Sequence, residues 1–98
     1  MLHIETLGQG PDVVFLHGWS LHGGIWQRVA TALADRFTCH LVDLPGHGES
    51  AKALLRGDLD ELSETVLALL DHLDIAKAHL AGHSMGGAVS LNVARLAP

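Results

Sequence analysis

The chain has a single cysteine, Cys39, in 98 residues. A lone cysteine excludes an intrachain disulfide framework and fits a reducing, cytoplasmic setting. Basic residues are also scarce: 6 Lys and Arg stand against 11 Asp and Glu, for a formal net charge of −5. They are scattered along the chain (Arg28, Arg36, Lys52, Arg56, Lys77, Arg95) and form no basic face, so no nucleic-acid partner is expected. No apolar run approaches the roughly 18–20 residues that a membrane span requires. The start, Met1-Leu2-His3-Ile4-Glu5, lacks the basic and apolar regions of a secretory signal. Internal repeats and low-complexity tracts are absent too. What the chain does have is apolar content, 48% of its residues, which is too much for a disordered protein. Its length allows one domain at most.

Read in order, Leu2 to Thr6 suits a short edge strand, followed by a turn at Gly8, Gly10 and Pro11. Val13-Val14-Phe15-Leu16 is a continuous apolar run of the kind buried on both faces of a sheet. Ile25, Val29 and Leu33 recur at helical spacing, with Trp26 beside them. Residues 37–42 read as another buried strand, and Asp43 to Gly48 as a loop of breakers. Asp58 followed by Glu61 has a capping-box pattern, opening a helix whose apolar stripe is Leu59, Leu62, Val66, Leu69, Leu70 and Leu73. This stripe is expected to pack in the core. Residues 76–81 read as a last strand before a final helix. The alternation of strands and helices predicts an α/β fold, a mostly parallel sheet with helices on both faces. Loops that follow parallel strands gather at one edge, where ligands bind. His17-Gly18-Trp19, Asp43 to Gly48 and Gly82 to Gly87 should meet there.

The last of these loops carries the chemistry. Gly82-His83-Ser84-Met85-Gly86 follows the apolar stretch Ala78-His79-Leu80-Ala81 and precedes a small-residue helix. A bare G-x-S-x-G is a weak signal, but between a strand and a helix it is the pattern of a nucleophile elbow. The glycines permit a tight turn and close backbone approach. The helix beginning after Ser84 directs unpaired N–H groups and its positive dipole end at the serine. Ser84 is therefore the candidate nucleophile for acyl transfer or hydrolysis, and the backbone N–H of Met85 a candidate oxyanion donor. His83 adjoins the nucleophile and is expected to shape the pocket floor. His17 is expected to brace its loop by hydrogen bonding. His79 and His83 are separated by a strand-to-turn change, so no metal site is expected there.

Taken together, His17-Gly18-Trp19, Asp43-Leu44-Pro45-Gly46-His47-Gly48-Glu49-Ser50 and Gly82-His83-Ser84-Met85-Gly86-Gly87, each after a strand, resemble the α/β-hydrolase superfamily over essentially the whole chain. Residues 12–50, with Leu16 to Trp19, Trp26 and His40 to Gly46, resemble the pimeloyl-acyl-carrier-protein methyl ester esterases of biotin synthesis. Residues 46–98, with Gly48 to Lys52, Gly57 to Leu62, Leu70 to Ile75 and His83 to Leu91, are similar to the hydrolase-like domain of acetoin dehydrogenase acyltransferase components. The esterases carry tryptophan where this chain has His83. The two likenesses meet at the Pro45-to-Ser50 loop, as they would in a recombinant of two hydrolases.

The resemblance implies a serine carboxylesterase without metal or organic cofactor. It assigns the second oxyanion donor to the backbone N–H of Trp19, beside Gly18, and a pocket-lining role to the Trp19 ring. The implied substrate is a small-molecule or acyl-carrier-linked ester. The superfamily orders its triad as nucleophile, acid, then histidine, yet the only charged side chain after Ser84 is that of Arg95. The chain thus reads as the N-terminal part of a single hydrolase domain, inactive by itself. Other readings are an acetoin-complex acyltransferase-like domain, a lactonase, C–C bond hydrolase or peroxidase-like member, and a non-catalytic remnant or binding module.

Overall fold

A computed structural model describes residues 3–18, 22–44 and 59–97. Among the described residues four strands and three α-helices follow one another: β1 Ile4–Gly8, β2 Asp12–Leu16, α1 Gln27–Leu33, β3 Thr38–Val42, α2 Leu59–His72, β4 His79–Gly82 and α3 Met85–Leu96. The sheet order is β1-β3-β2-β4. β2 pairs in parallel with both β3 and β4, whereas β1 runs antiparallel to β3. The fold is the expected α/β class, mostly parallel, with an antiparallel edge.

β2 and β3 are central strands, and their apolar runs are buried on both faces as such positions require. One face carries Val14, Leu16, Val42 and Leu44, packed with Leu62, Val66 and Leu69 of α2 and Val89 and Val93 of α3. The other carries Val13, Phe15, Cys39 and Leu41 against Ala30 of α1. In α2 the apolar stripe faces the core as expected at Leu62, Val66 and Leu69, with Leu70 and Leu73 at its margin, while Leu59 is exposed. The capping residue Asp58 lies outside the described residues.

Two expectations are corrected. Of the helical set, Leu33 and Trp26 pack against the sheet as expected, but Ile25 and Val29 are exposed, and Ala30 is buried in their place. Ile25 lies in a 3₁₀ turn over Gly23–Trp26, where the residues per turn differ from those of the α-helix that follows. β4 begins at His79 rather than residue 76 because Val13 pairs with His79. In that register residues 76 and 77 would fall opposite Gly10 and Pro11, where a positive-φ glycine and a residue without an N–H cannot continue a ladder.

Polar groups are also matched inside the sheet. His40 is bonded across both its neighbours: one ring nitrogen lies 2.8 Å from Asp12 Oδ1 and the other 3.0 Å from Thr6 Oγ1. A carboxylate only accepts, so Nε2 of His40 carries a proton directed at Asp12. Between α2 and α3, the buried Asn92 donates to Asp60 Oδ1 and Ser63 Oγ and accepts from Arg95 Nε.

Candidate active site

β2, β3 and β4 are mutually parallel, so the segments following them emerge at the same edge of the sheet. Ser84 stands between β4 and α3 with φ 55° and ψ −111°. Only glycine adopts such a conformation without strain, which costs another residue on the order of 1–3 kcal/mol. The surroundings impose it. His83 N–H donates to Leu16 O at 3.0 Å, Gly86 N–H to His83 O at 2.9 Å, and Ala88 N–H to Ser84 O at 3.1 Å. A Cβ on Gly86 would lie 2.0 Å from Leu16 O, and one on Gly82 would lie 2.3 Å from Gly86 O. Backbone therefore touches backbone at both glycines, and the turn cannot relax outward.

Ser84 is exposed and occupies the N-cap position of α3, but its hydroxyl makes no capping bond. Serine ordinarily caps when placed there. The hydroxyl of this exposed residue is thus not taken up by the helix N–H groups. Met85 is the first residue of α3, where N–H groups lack intrahelical acceptors and the dipole is positive. Its side chain packs at the margin of the larger core cluster.

Gly18 lies directly against this turn. A Cβ there would be 2.9 Å from His83 Nδ1 and 3.3 Å from the Cβ of Ser84. His83 itself is exposed, so its ring lies beside the mouth of the site. His17 is fully buried, and Leu44 N–H donates to its Nε2 at 2.9 Å. Nε2 must therefore be the bare nitrogen, and Nδ1–H donates to Gly18 O at 2.7 Å. The neutral tautomer of His17 thus ties the segment after β2 to the segment after β3. Trp19 and the 45–50 loop, His47 included, lie outside the described residues. The structure brings together Gly18, His83, Ser84 and Met85, with His17 behind them.

His79 is exposed at the start of β4, and its ring meets Phe37 edge-on at 6.3 Å. Among the described residues no group of three or more His, Cys, Asp or Glu side chains could hold a metal ion. Cys39, buried between sheet and α1, has its thiol pushed above the usual range by burial. It is no rival nucleophile, because the thiolate is the reactive form.

A serine strained at a strand-to-helix turn, with a glycine loop against it, on a mostly parallel sheet is the arrangement of an α/β hydrolase. Residues 11–98 match the alpha/beta hydrolase fold family, and the chain belongs to it. It is 70% identical over 89 residues to the dihydrolipoyllysine-residue acetyltransferase component of the acetoin cleaving system of Pseudomonas putida, covering 91% of this chain and 24% of that protein. It is 54% identical over 89 residues to the pimeloyl-[acyl-carrier protein] methyl ester esterase of Chromobacterium violaceum, covering 91% of this chain and 33% of that one. Among solved structures, a marine microorganism esterase superposes with a TM-score of 0.93 at 25% identity, over 97% of this chain and 36% of the other. The chain therefore spans about a quarter to a third of these two curated relatives.

Proposed function

We propose that these residues are the nucleophile-bearing, N-terminal part of a single hydrolase domain, a serine carboxylesterase working through an acyl-serine. The observation that carries the reading is the backbone of Ser84, held at φ 55° and ψ −111° with its hydroxyl unused by the helix it precedes. Ser84 Oγ attacks the ester carbonyl carbon while its proton passes to a histidine base. The carbonyl oxygen becomes an oxyanion facing the N–H of Met85 and, following the family pattern, that of Trp19. Each such donor contributes roughly 3 kcal/mol to the transition state. Collapse expels the alcohol, which takes the proton from the histidine. Water then attacks the acyl-serine, losing a proton to the same histidine, and collapse releases the acid as the histidine returns that proton to Ser84 Oγ. Gly18 supports this by letting the oxyanion loop reach the turn, and His17 by holding that loop.

In the family order the acid and the histidine follow the nucleophile, and after Ser84 these residues offer no Asp, Glu or His. The 98 residues alone are accordingly expected not to turn over esters. A fluorophosphonate probe applied to the complete gene product should label Ser84, and Ser84→Ala should abolish both label and turnover. Absence of label in the parent protein would favour a non-catalytic member of the fold.

For substrate we favour a carrier-protein-linked methyl ester, as the name of the Chromobacterium relative suggests. The higher identity to the Pseudomonas protein favours a second reading, an acyltransferase-like domain of an acetoin-cleaving complex. Methyl-ester cleavage without acetyl transfer to a dihydrolipoyl group separates the two. The mechanism calls for no metal or organic cofactor. The buried lone cysteine suits a cytoplasmic setting, and no described helix is long and apolar enough to cross a membrane.

A further inference from the structure

We infer that Asp43 is a positioning residue for the reaction, holding the far end of the oxyanion loop while His17 holds the near end; this rests on the serine-hydrolase reading above. The loop leaves β2 at His17 and ends at Gly23, where the 3₁₀ turn begins. At the near end Leu44 N–H donates to His17 Nε2. At the far end Gly23 N–H donates to Asp43 Oδ1 at 2.6 Å, a buried bond between residues 20 apart in sequence. Both anchors thus come from one dipeptide, Asp43-Leu44, just past the end of β3.

That dipeptide is itself fixed. Asp43 N–H donates to His3 O at 3.0 Å, extending the β1–β3 ladder by one pair, and Asp43 and Leu44 are buried. Gly23 is seated against the same strand end. A Cβ on it would lie 3.1 Å from Leu41 C and Val42 O, and 3.2 Å from Asp43 Oδ1. A carboxylate acceptor makes the Gly23 bond charge-assisted, about twice as strong as a neutral one. Residues 19–21, with the backbone N–H assigned to the oxyanion, lie between the two anchors. Without the Asp43 bond Gly23 loses its tie to the end of β3, while His17 and Gly18 keep theirs. Misplacement by about 1 Å costs on the order of a hundredfold in rate.

The test is p-nitrophenyl acetate hydrolysis by the complete gene product, with kcat and KM measured separately and amide hydrogen exchange followed at Gly23. Asp43→Ala should lower kcat by roughly ten- to a hundredfold with KM within about twofold, because an oxyanion contact forms in the transition state and not in the ground state. Affinity for phenylboronic acid, whose adduct bears the oxyanion, should fall in step with kcat. Asp43→Asn keeps an Oδ1 acceptor and should restore kcat, boronate affinity and protection of the Gly23 amide. Asp43→Ala at parental kcat, or a folded Asp43→Asn as impaired as the alanine variant, overturns the inference. If Asp43→Ala does not fold, Asp43→Asn decides: Gly23 protected with kcat kept supports it, and Gly23 protected with kcat lost overturns it. A parent protein that neither hydrolyses the ester nor takes a fluorophosphonate at Ser84 overturns the serine-hydrolase reading, and this inference with it.

Discussion

Two adjacent glycines after Ser84 face opposite demands. Gly86 sits where the start of α3 meets the end of β2, and any Cβ would enter the Leu16 carbonyl. Gly87, one residue on, has its nearest neighbour at 3.6 Å, an ordinary contact. Gly86→Ala should therefore destabilise by about 3 kcal/mol or more, since backbone must move to admit the methyl, and should remove Ser84 labelling. Gly87→Ala should stabilise by roughly 0.5–1 kcal/mol, because alanine costs less backbone entropy in a helix. Urea denaturation of both variants checks the contrast; equal effects would mean that the elbow is not packed backbone to backbone. The serine itself was legible in the sequence because its turn chemistry is local: glycine, serine and glycine within five residues. The other partners were not. His17 and Leu44 are 27 residues apart, and His40 is 28 from Asp12 and 34 from Thr6. No local pattern marks such pairs, since the strand register alone makes them neighbours.

Among the elements, α2 shows how a helix end is built against local preference. Ile75 N–H donates to Leu70 O and Asp74 N–H to Asp71 O, the paired bonds of a Schellman motif. Its left-handed residue is Asp74, with φ 59°, where glycine is usual. Asp74→Gly should raise stability by up to about 1 kcal/mol by relieving that conformation. A raised thermal midpoint with unchanged circular dichroism is the expected result, and a lowered one would mean that the aspartate side chain contributes more than the strain removes. The apolar stripe of α2 was readable because helical period sorts one face from the other without knowledge of a partner. The face of α1 was readable only in part: Leu33 and Trp26 pack as expected, but Ile25 falls in a 3₁₀ turn with fewer residues per turn, and the small Ala30 carries no apolar signal of its own. The true start of β4 was hidden for a different reason: a strand exists only where a neighbour can accept its hydrogen bonds, and β2 begins at Asp12.

At the scale of the molecule, the sheet separates two cores of unequal size, α2 and α3 on one face and α1 on the other. Cys39 lies in the smaller, 0% exposed, so its chemistry reports on the opening of that layer. Burial raises its pKa and reduces the thiolate at neutral pH; alkylation by iodoacetamide should be negligible in the native state and rapid in denaturant. In the native state it should quicken as pH rises, because more thiolate forms in each opened molecule. Rapid modification of the native protein, followed by mass spectrometry, would show that α1 does not cover the sheet. On the larger face, Leu67, Leu70, Ile75, Leu80 and Val93 line an apolar groove beside β4, which forms one edge of the sheet.

The class was determined by the sequence alone, which also singled out Ser84 as the candidate nucleophile. Alternating apolar runs specify strands and helices through burial, and a G-x-S-x-G between them specifies a turn that only small residues can make. The tertiary structure decided what surrounds that serine. It set Gly18 against Ser84, assigned the proton of His17 to Nδ1 through Leu44, and joined Asp43 to Gly23. Those contacts arise where parallel strands end side by side, and their partners are settled by register and sheet order, which no stretch of sequence contains by itself.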